Sequence, residues 1–178
     1  LTGPDRADFS LRVDSTHAVE GDRSLLLQAD PAFPDSVWAA FEGAIDIRPL
    51  SGARLRLTAY VRTDEADRAT FWARVHGPNE NDQFVTWGVD TMAGREIEGT
   101  TDWTQVEMVL PAPSEARMLI LGAVLRGGGR VWVDQIELSA VGEDVALTNP
   151  VDARVHDMAY REPPFLQSPV DAVGFEER

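Results

Sequence analysis

The chain has 178 residues, 43% of them hydrophobic, with 30 Asp plus Glu against 16 basic residues and a formal charge of −14; this suits one packed domain with or without an extension and argues against wholesale disorder. No cysteine is present, which excludes disulfides and cysteine-ligated zinc or iron–sulfur sites. A polyanion with pI near 4.5 repels phosphate backbones, so nucleic acid is a poor partner, and no apolar run approaches the ~20 residues that span a bilayer.

In chain order the pattern predicts short strands. Residues 9–14 alternate, with Phe9, Leu11 and Val13 on one side. Strands are expected over 24–28 and 37–47, the latter with Gly43 inside it. Residues 54–62, RLRLTAYVR, give the clearest alternation, with Leu55, Leu57, Ala59 and Val61 inward and Arg54, Arg56, Thr58, Tyr60 and Arg62 outward. Residues 70–76 follow, with Phe71, Ala73 and Val75 inward and Trp72, Arg74 and His76 outward. Further strands are predicted at 84–89, 103–110, 118–125 (apolar on both faces, hence central) and 130–138.

Turn signals separate these segments, among them Ser51-Gly52, Gly77-Pro78-Asn79 and the run Gly127-Gly128-Gly129. No stretch before residue 141 sustains a helical apolar period. Many short strands punctuated in this way predict an all-β fold, a β-sandwich or barrel; an antiparallel sandwich also fits the alternation, with one face of each strand buried and one solvated. From 142 to 178 the chain turns Pro-rich (Pro150, Pro163, Pro164, Pro169) and reads as an extended tail or linker, with a short helical turn near 155–160 and a short strand at 173–177. The expected division is thus 1–141 sandwich and 142–178 extension. Residues 1–9 show no basic region of a signal peptide. The lack of cysteine is compatible with a secreted or periplasmic setting, and the compartment stays open.

Four segments resemble carbohydrate-binding-module-like, galactose-binding-like jelly rolls: D-x-x-x-A-x-E-G-x-x-S-L-x-L over 14–27, RLRLTAYVRTD over 54–64, GTTDWTQVEMVLPAP over 99–113 and GGGRVWVDQIEL over 127–138. WARVHG (72–77) and DTMAGREIEG (90–99) resemble, more narrowly, an accessory β-sandwich of bacterial tail-specific-type serine peptidases, erythromycin-esterase-like hydrolases and some transcription regulators. The resemblance implies a jelly roll and a non-catalytic accessory module that binds a ligand, such as a carbohydrate, or positions a catalytic neighbour. A structural or protein-interaction domain, dimerising through a sheet edge or the C-terminal tail, is the alternative. Such domains open with a strand like NLGFEE, whereas here a matching VGFEER stands at 173–178. That piece either completes the sheet edge of its own chain, exchanges with a neighbour, or is a tail leading elsewhere. The resemblance also implies a structural calcium, with Asp134, Glu176 and the turn near Asp22 as its ligands; Gln135 stands where the second acid of the closing strand is usual.

Aromatic and polar side chains at outward or turn-adjacent positions (Trp38, Tyr60, Trp72, Arg74, His76 and Trp87) have the composition of a glycan-binding face, in which rings stack on sugars and polar groups fix hydroxyls. The same residues also suit core packing. Trp103 and Trp132 are expected to pack, and Arg95 to form an ion pair tying down its acidic loop. His17, His76 and His156 show no metal-binding spacing, and no G-x-S-x-G elbow or phosphate loop occurs, so no intrinsic enzyme activity is expected.

Overall fold

The computed structural model describes residues 1–3 and 6–149. The expectations for the helical turn at 155–160, the strand at 173–177 and Glu176 lie outside the described residues. Among the described residues eight strands carry the fold: β1 (Ser10–Asp14), β2 (Ser24–Ala29), β3 (Trp38–Asp46), β4 (Ala53–Pro78), β5 (Phe84–Asp90), β6 (Ile97–Ala112), β7 (Met118–Arg126) and β8 (Gly129–Val141). All pair antiparallel, in the order β1-β2-β8-β4-β7-β3, with β5 and β6 also on β4. The predicted all-β architecture is the one observed.

The strand β4 is the spine, and it departs from the prediction of two separate strands at 54–62 and 70–76. It is one strand of 26 residues. Its first part faces β8, with Asp64 opposite Arg130, and its second faces β7, with Arg68 opposite Arg126, in one continuing register. The polar run 64–68 is therefore a bend in a strand, and Glu65 absorbs it at φ 50. β7 and β8 run on in one direction past the same bend. β2 and β3 do so beside them, and β5 and β6 along the other side of β4. Each long pass crosses the bend, and the two halves fold face to face as a sandwich. One half is β1-β2-β8-β4-β6 and the other β3-β7-β4-β5.

The glycine run that the sequence marks as a turn is the crossing itself. Gly127 and Gly129 have φ 73 and 98. A Cβ on Gly127 would stand 2.2 Å from an Asp67 carboxylate oxygen, and one on Gly129 2.3 Å from the Glu65 carbonyl. The glycines let the two central passes touch where they bend.

The core lies between the halves. Leu55, Leu57, Ala59 and Val61 enter it from one half of β4, and Phe71, Ala73 and Val75 from the other, all essentially fully buried. Each large apolar side chain so buried contributes roughly 1.5–3 kcal/mol. Alternation then dictates what faces outward: Arg56, Thr58 and Tyr60 on one outer face, Trp72, Arg74 and His76 on the other. Residues 142–149 stay on the sandwich. The Arg54 guanidinium bonds the Val145 carbonyl, Thr148 N–H donates to the Val109 carbonyl at 3.2 Å, and Asn149 Nδ2 donates to the Val89 carbonyl at 3.0 Å. Among the described residues no helix is long and apolar enough to cross a membrane.

Candidate functional site

The outer face of the β3-β7-β4-β5 half is built in rows. Cross-strand register sets Arg74 beside Ile120 and Val89, and His76 beside Met118 and Thr86. Large side chains lie flat along β4. The Arg74 guanidinium sits 4.7 Å over the Trp72 ring, and Trp72 is only 8% exposed. His76 is buried and stacks on Phe84, ring centroids 5.8 Å apart and planes 2° from parallel. Burial, helped by the Arg74 charge and opposed by a hydrogen bond with the Val85 backbone, pushes His76 down to about 4. At neutral pH the imidazole is therefore an uncharged, flat support.

Phe84 itself is 59% exposed. It opens β5, just after the tight turn in which Asn79 Oδ1 accepts the Asn81 and Gln83 N–H groups at 2.9 and 3.0 Å. It walls an open cavity of about 370 Å3 whose other sides are Met118, Ala44, Ile45, Asp46, Arg48 and Arg117. Arg48 clamps Asp46, its Nε lying 2.9 and 3.0 Å from the two carboxylate oxygens, and this holds Asp46 down at about 2. Arg117 Nη1 is fixed by the Ser114 and Ala116 carbonyls, each at 2.9 Å. An exposed ring with a fixed back, next to oriented polar groups, is what a small-ligand site requires.

The six residues named from sequence are not one cluster. Trp72, Arg74 and His76 share the face just described. Tyr60 stands on the opposite outer face, between Gln105 and Asp134. Near it the charged groups Arg56, Glu107 and Glu137, with Thr58, Gln105 and Ser139, line a second, polar groove of about 680 Å3. Trp38 is half-buried at the start of β3, and the ring lies close against Gly3. Trp87 packs against the core from beside an irregularity in the β4–β5 register. Sequence reading passed over Phe84, Asp46, Arg48 and Arg117. The outward parity of Phe84 in FVTWGVD, right after an Asn-rich turn, was the available signal.

Two buried carboxylates are structural hubs. Asp14 accepts from Trp132 Nε1 at 2.8 Å, Thr16 Oγ1 at 2.8 Å and His17 Nδ1 at 3.1 Å. Burial alone would raise this carboxyl, but these hydrogen bonds outweigh it and hold Asp14 at about 2. Trp132 is packed as expected, yet it points away from the core and is covered by His17, its ring centroid 5.0 Å away, and by Arg62. Asp90 accepts from Arg95 Nη2 at 2.6 Å, Thr148 Oγ1 at 2.6 Å and Met92 N–H at 2.8 Å. The ion pair expected for Arg95 is thus present and ties the loop between β5 and β6.

Of the calcium ligands implied by resemblance, Asp134 caps a turn, accepting from Val19 N–H at 2.7 Å and from Gln135 N–H at 2.8 Å. Asp22 is exposed, 3.5 Å from Arg23. Among the described residues no group of three or more His, Asp or Glu is placed to hold a metal ion.

No family model matches the chain. Over 151 residues it is 28% identical to an uncharacterised HTH-type transcriptional regulator, YbfP, of Bacillus subtilis (strain 168), covering 84% of this chain and 50% of the regulator. The chain therefore spans about half the length of that relative. Among solved structures, a family 16 carbohydrate-binding module superposes with TM-score 0.52 at 14% identity, covering 75% of this chain and 88% of the module. The C-terminal family 22 carbohydrate-binding module of Clostridium thermocellum Xyn10B does so with 0.50 at 17%, covering 82% and 86%. The CBM22-1 and GH10 modules of the same xylanase, complexed with xylohexaose, give 0.50 at 12%, covering 76% of this chain and 25% of that one. At such identities these matches speak to the fold, which is a carbohydrate-binding-module-like jelly-roll sandwich.

Proposed function

We propose that the chain is a non-catalytic accessory module that binds a carbohydrate at the Phe84 cavity. The observation that carries this reading is the exposed Phe84 ring, backed in parallel by the neutral His76 and bordered by Asp46, Arg48 and Arg117. Carbohydrate rings stack on such platforms, and flanking charged groups fix hydroxyls. The shared fold with carbohydrate-binding modules supports the reading. The likeness to half of a transcriptional regulator supports a role beside another domain, to which occupancy of the cavity would be reported.

Calorimetric titration of the full chain against a panel of oligosaccharides tests this. A saccharide binds, and Phe84→Ala weakens it about tenfold, equivalent to about 1.4 kcal/mol. Stability changes by less than ~0.5 kcal/mol, since the ring is mostly in water. Absence of binding across the panel, or a Phe84→Ala variant that binds as well as the parent, overturns the proposal.

A further inference from the structure

We infer that the preferred ligand of this cavity is an anionic sugar, one whose ring carries a carboxylate or sulfate; the inference rests on the carbohydrate reading above. The chain carries 30 acids against 16 basic residues, so a cationic rim runs against its overall composition. Of the three charged side chains at the cavity, two are arginines. Asp46 is clamped by Arg48, so these two largely cancel at contact distance. Arg117 is held differently. Its Nη1 donates to two backbone carbonyls, which orient the guanidinium without neutralising it. Among the described residues no carboxylate lies within ion-pair distance of Arg117. Asp46 feels the Arg117 charge as well as that of Arg48, but one carboxylate faces two guanidiniums, so the rim carries a net positive charge, and the Arg117 fork stands beside an apolar wall.

A guanidinium in that state recognises a planar carboxylate or a sulfate through paired N–H donors. Phe84 and Met118 meet the apolar face of the ring, while Arg117 takes the charged substituent. The volume of about 370 Å3 lies within the range of small-ligand sites. Long-range repulsion from the −14 chain opposes any anion, so selectivity has to come from this short-range contact, and added salt acts on both.

The test is titration of the full chain with trigalacturonate, a sulfated oligosaccharide and neutral galactotriose, using the parent, Arg117→Gln, Arg117→Lys and Phe84→Ala, with thermal unfolding of each variant as a control. At least one acidic ligand is expected to bind about tenfold tighter than the neutral one. Arg117→Gln removes that preference, and Arg117→Lys restores part of it. Which acidic ligand binds distinguishes carboxylate from sulfate. Equal affinity for acidic and neutral sugars, unchanged in Arg117→Gln but lost in Phe84→Ala, overturns the anionic preference and leaves the carbohydrate reading standing. If no saccharide binds, both fail together.

Discussion

The two halves of the folded sheet share β4 and one core, yet their outer faces differ in how they handle charge. On the β1-β2-β8-β4-β6 half the arginines meet carboxylates across the strands: Arg56 lies 3.3 Å from Glu107 and Arg130 2.6 Å from Asp64. On the β3-β7-β4-β5 half the same strand presents Trp72, Arg74 and His76, and the neighbouring cavity has an exposed phenyl ring and an arginine hydrogen-bonded to backbone carbonyls rather than clamped on a carboxylate. Strand alternation before and after one bend therefore produces two chemistries. A face whose charges are already cross-paired offers a ligand little, while a face with flat apolar surface and an unneutralised donor offers both contact and orientation.

Each half also closes on a buried aspartate, and breaking these hubs is the harshest way to test how separable the halves are. Asp90 holds Arg95, the N–H of Met92 and Thr148, so it joins the β5–β6 loop to the segment after β8. Asp90→Ala leaves the buried Met92 N–H unmet, leaves the Thr148 hydroxyl only its contacts with the Val109 backbone, and takes the carboxylate from its guanidinium partner. Removing one member of a buried pair typically costs 3–5 kcal/mol; Arg95 is partly exposed and can rehydrate, so we expect about 3 kcal/mol. Urea unfolding measures this directly. A loss below ~1 kcal/mol would show that the latch is not what holds the second half closed.

Acid separates the halves next, because their buried groups titrate in different windows. His76 is held at about 4, below its ordinary 6.5, so the unfolded chain takes up a proton before the folded one does. Its neutral form is no handicap above pH 6.5. Stability is lost as pH falls from 6.5 to about 4, by about 3 kcal/mol at most, and then levels off. Asp14 is held at about 2, below the ordinary 3.8, so its contribution is present above 3.8 and fades as pH falls towards 2. Unfolding free energies measured across these windows should show two limbs. His76→Gln should flatten the upper limb and leave the lower one. An upper limb that survives in His76→Gln would mean that other groups carry it.

The inner faces of β4 could be read from sequence because they obey strict alternation, and every residue assigned inward from 54–62 and 70–76 is buried. What escaped was anything that depends on pairing. The run 64–68 has the composition of a loop, but Asp64 and Arg68 stay opposite Arg130 and Arg126, so backbone pairing overrides local polarity. The glycine run scores as a turn by propensity, yet it serves contact between two bent passes, which no local window reveals. At the candidate site the parity of Trp72, Arg74 and His76 was legible. The membership of Tyr60 was not, because the two outward sets of one strand lie on opposite sides of the sandwich only once the strand folds over. Arg48 and Arg117 come from connections before β4 and β7, and only the tertiary fold brings them to Phe84.

The smallest expected effect bears most sharply on which face binds. Glu107→Gln removes the carboxylate that faces Arg56 in the polar groove, while the Glu107 carbonyl, which accepts from Arg95 Nη1 at 3.3 Å, is retained. Both side chains of the pair are substantially exposed, so stability should change by no more than ~1 kcal/mol. The substitution also frees Arg56 within the larger of the two cavities. If binding took place there, a released guanidinium would alter affinity and its dependence on salt, since a charge-assisted contact is worth about 1.5–3 kcal/mol. If binding takes place at Phe84, on the far side of the core, saccharide affinity should stay within about twofold of the parent, because distant sites act independently. A several-fold change in Glu107→Gln with none in Phe84→Ala would exchange the roles of the two faces. The pairing of charges on the first face would then be a reserve that a ligand displaces.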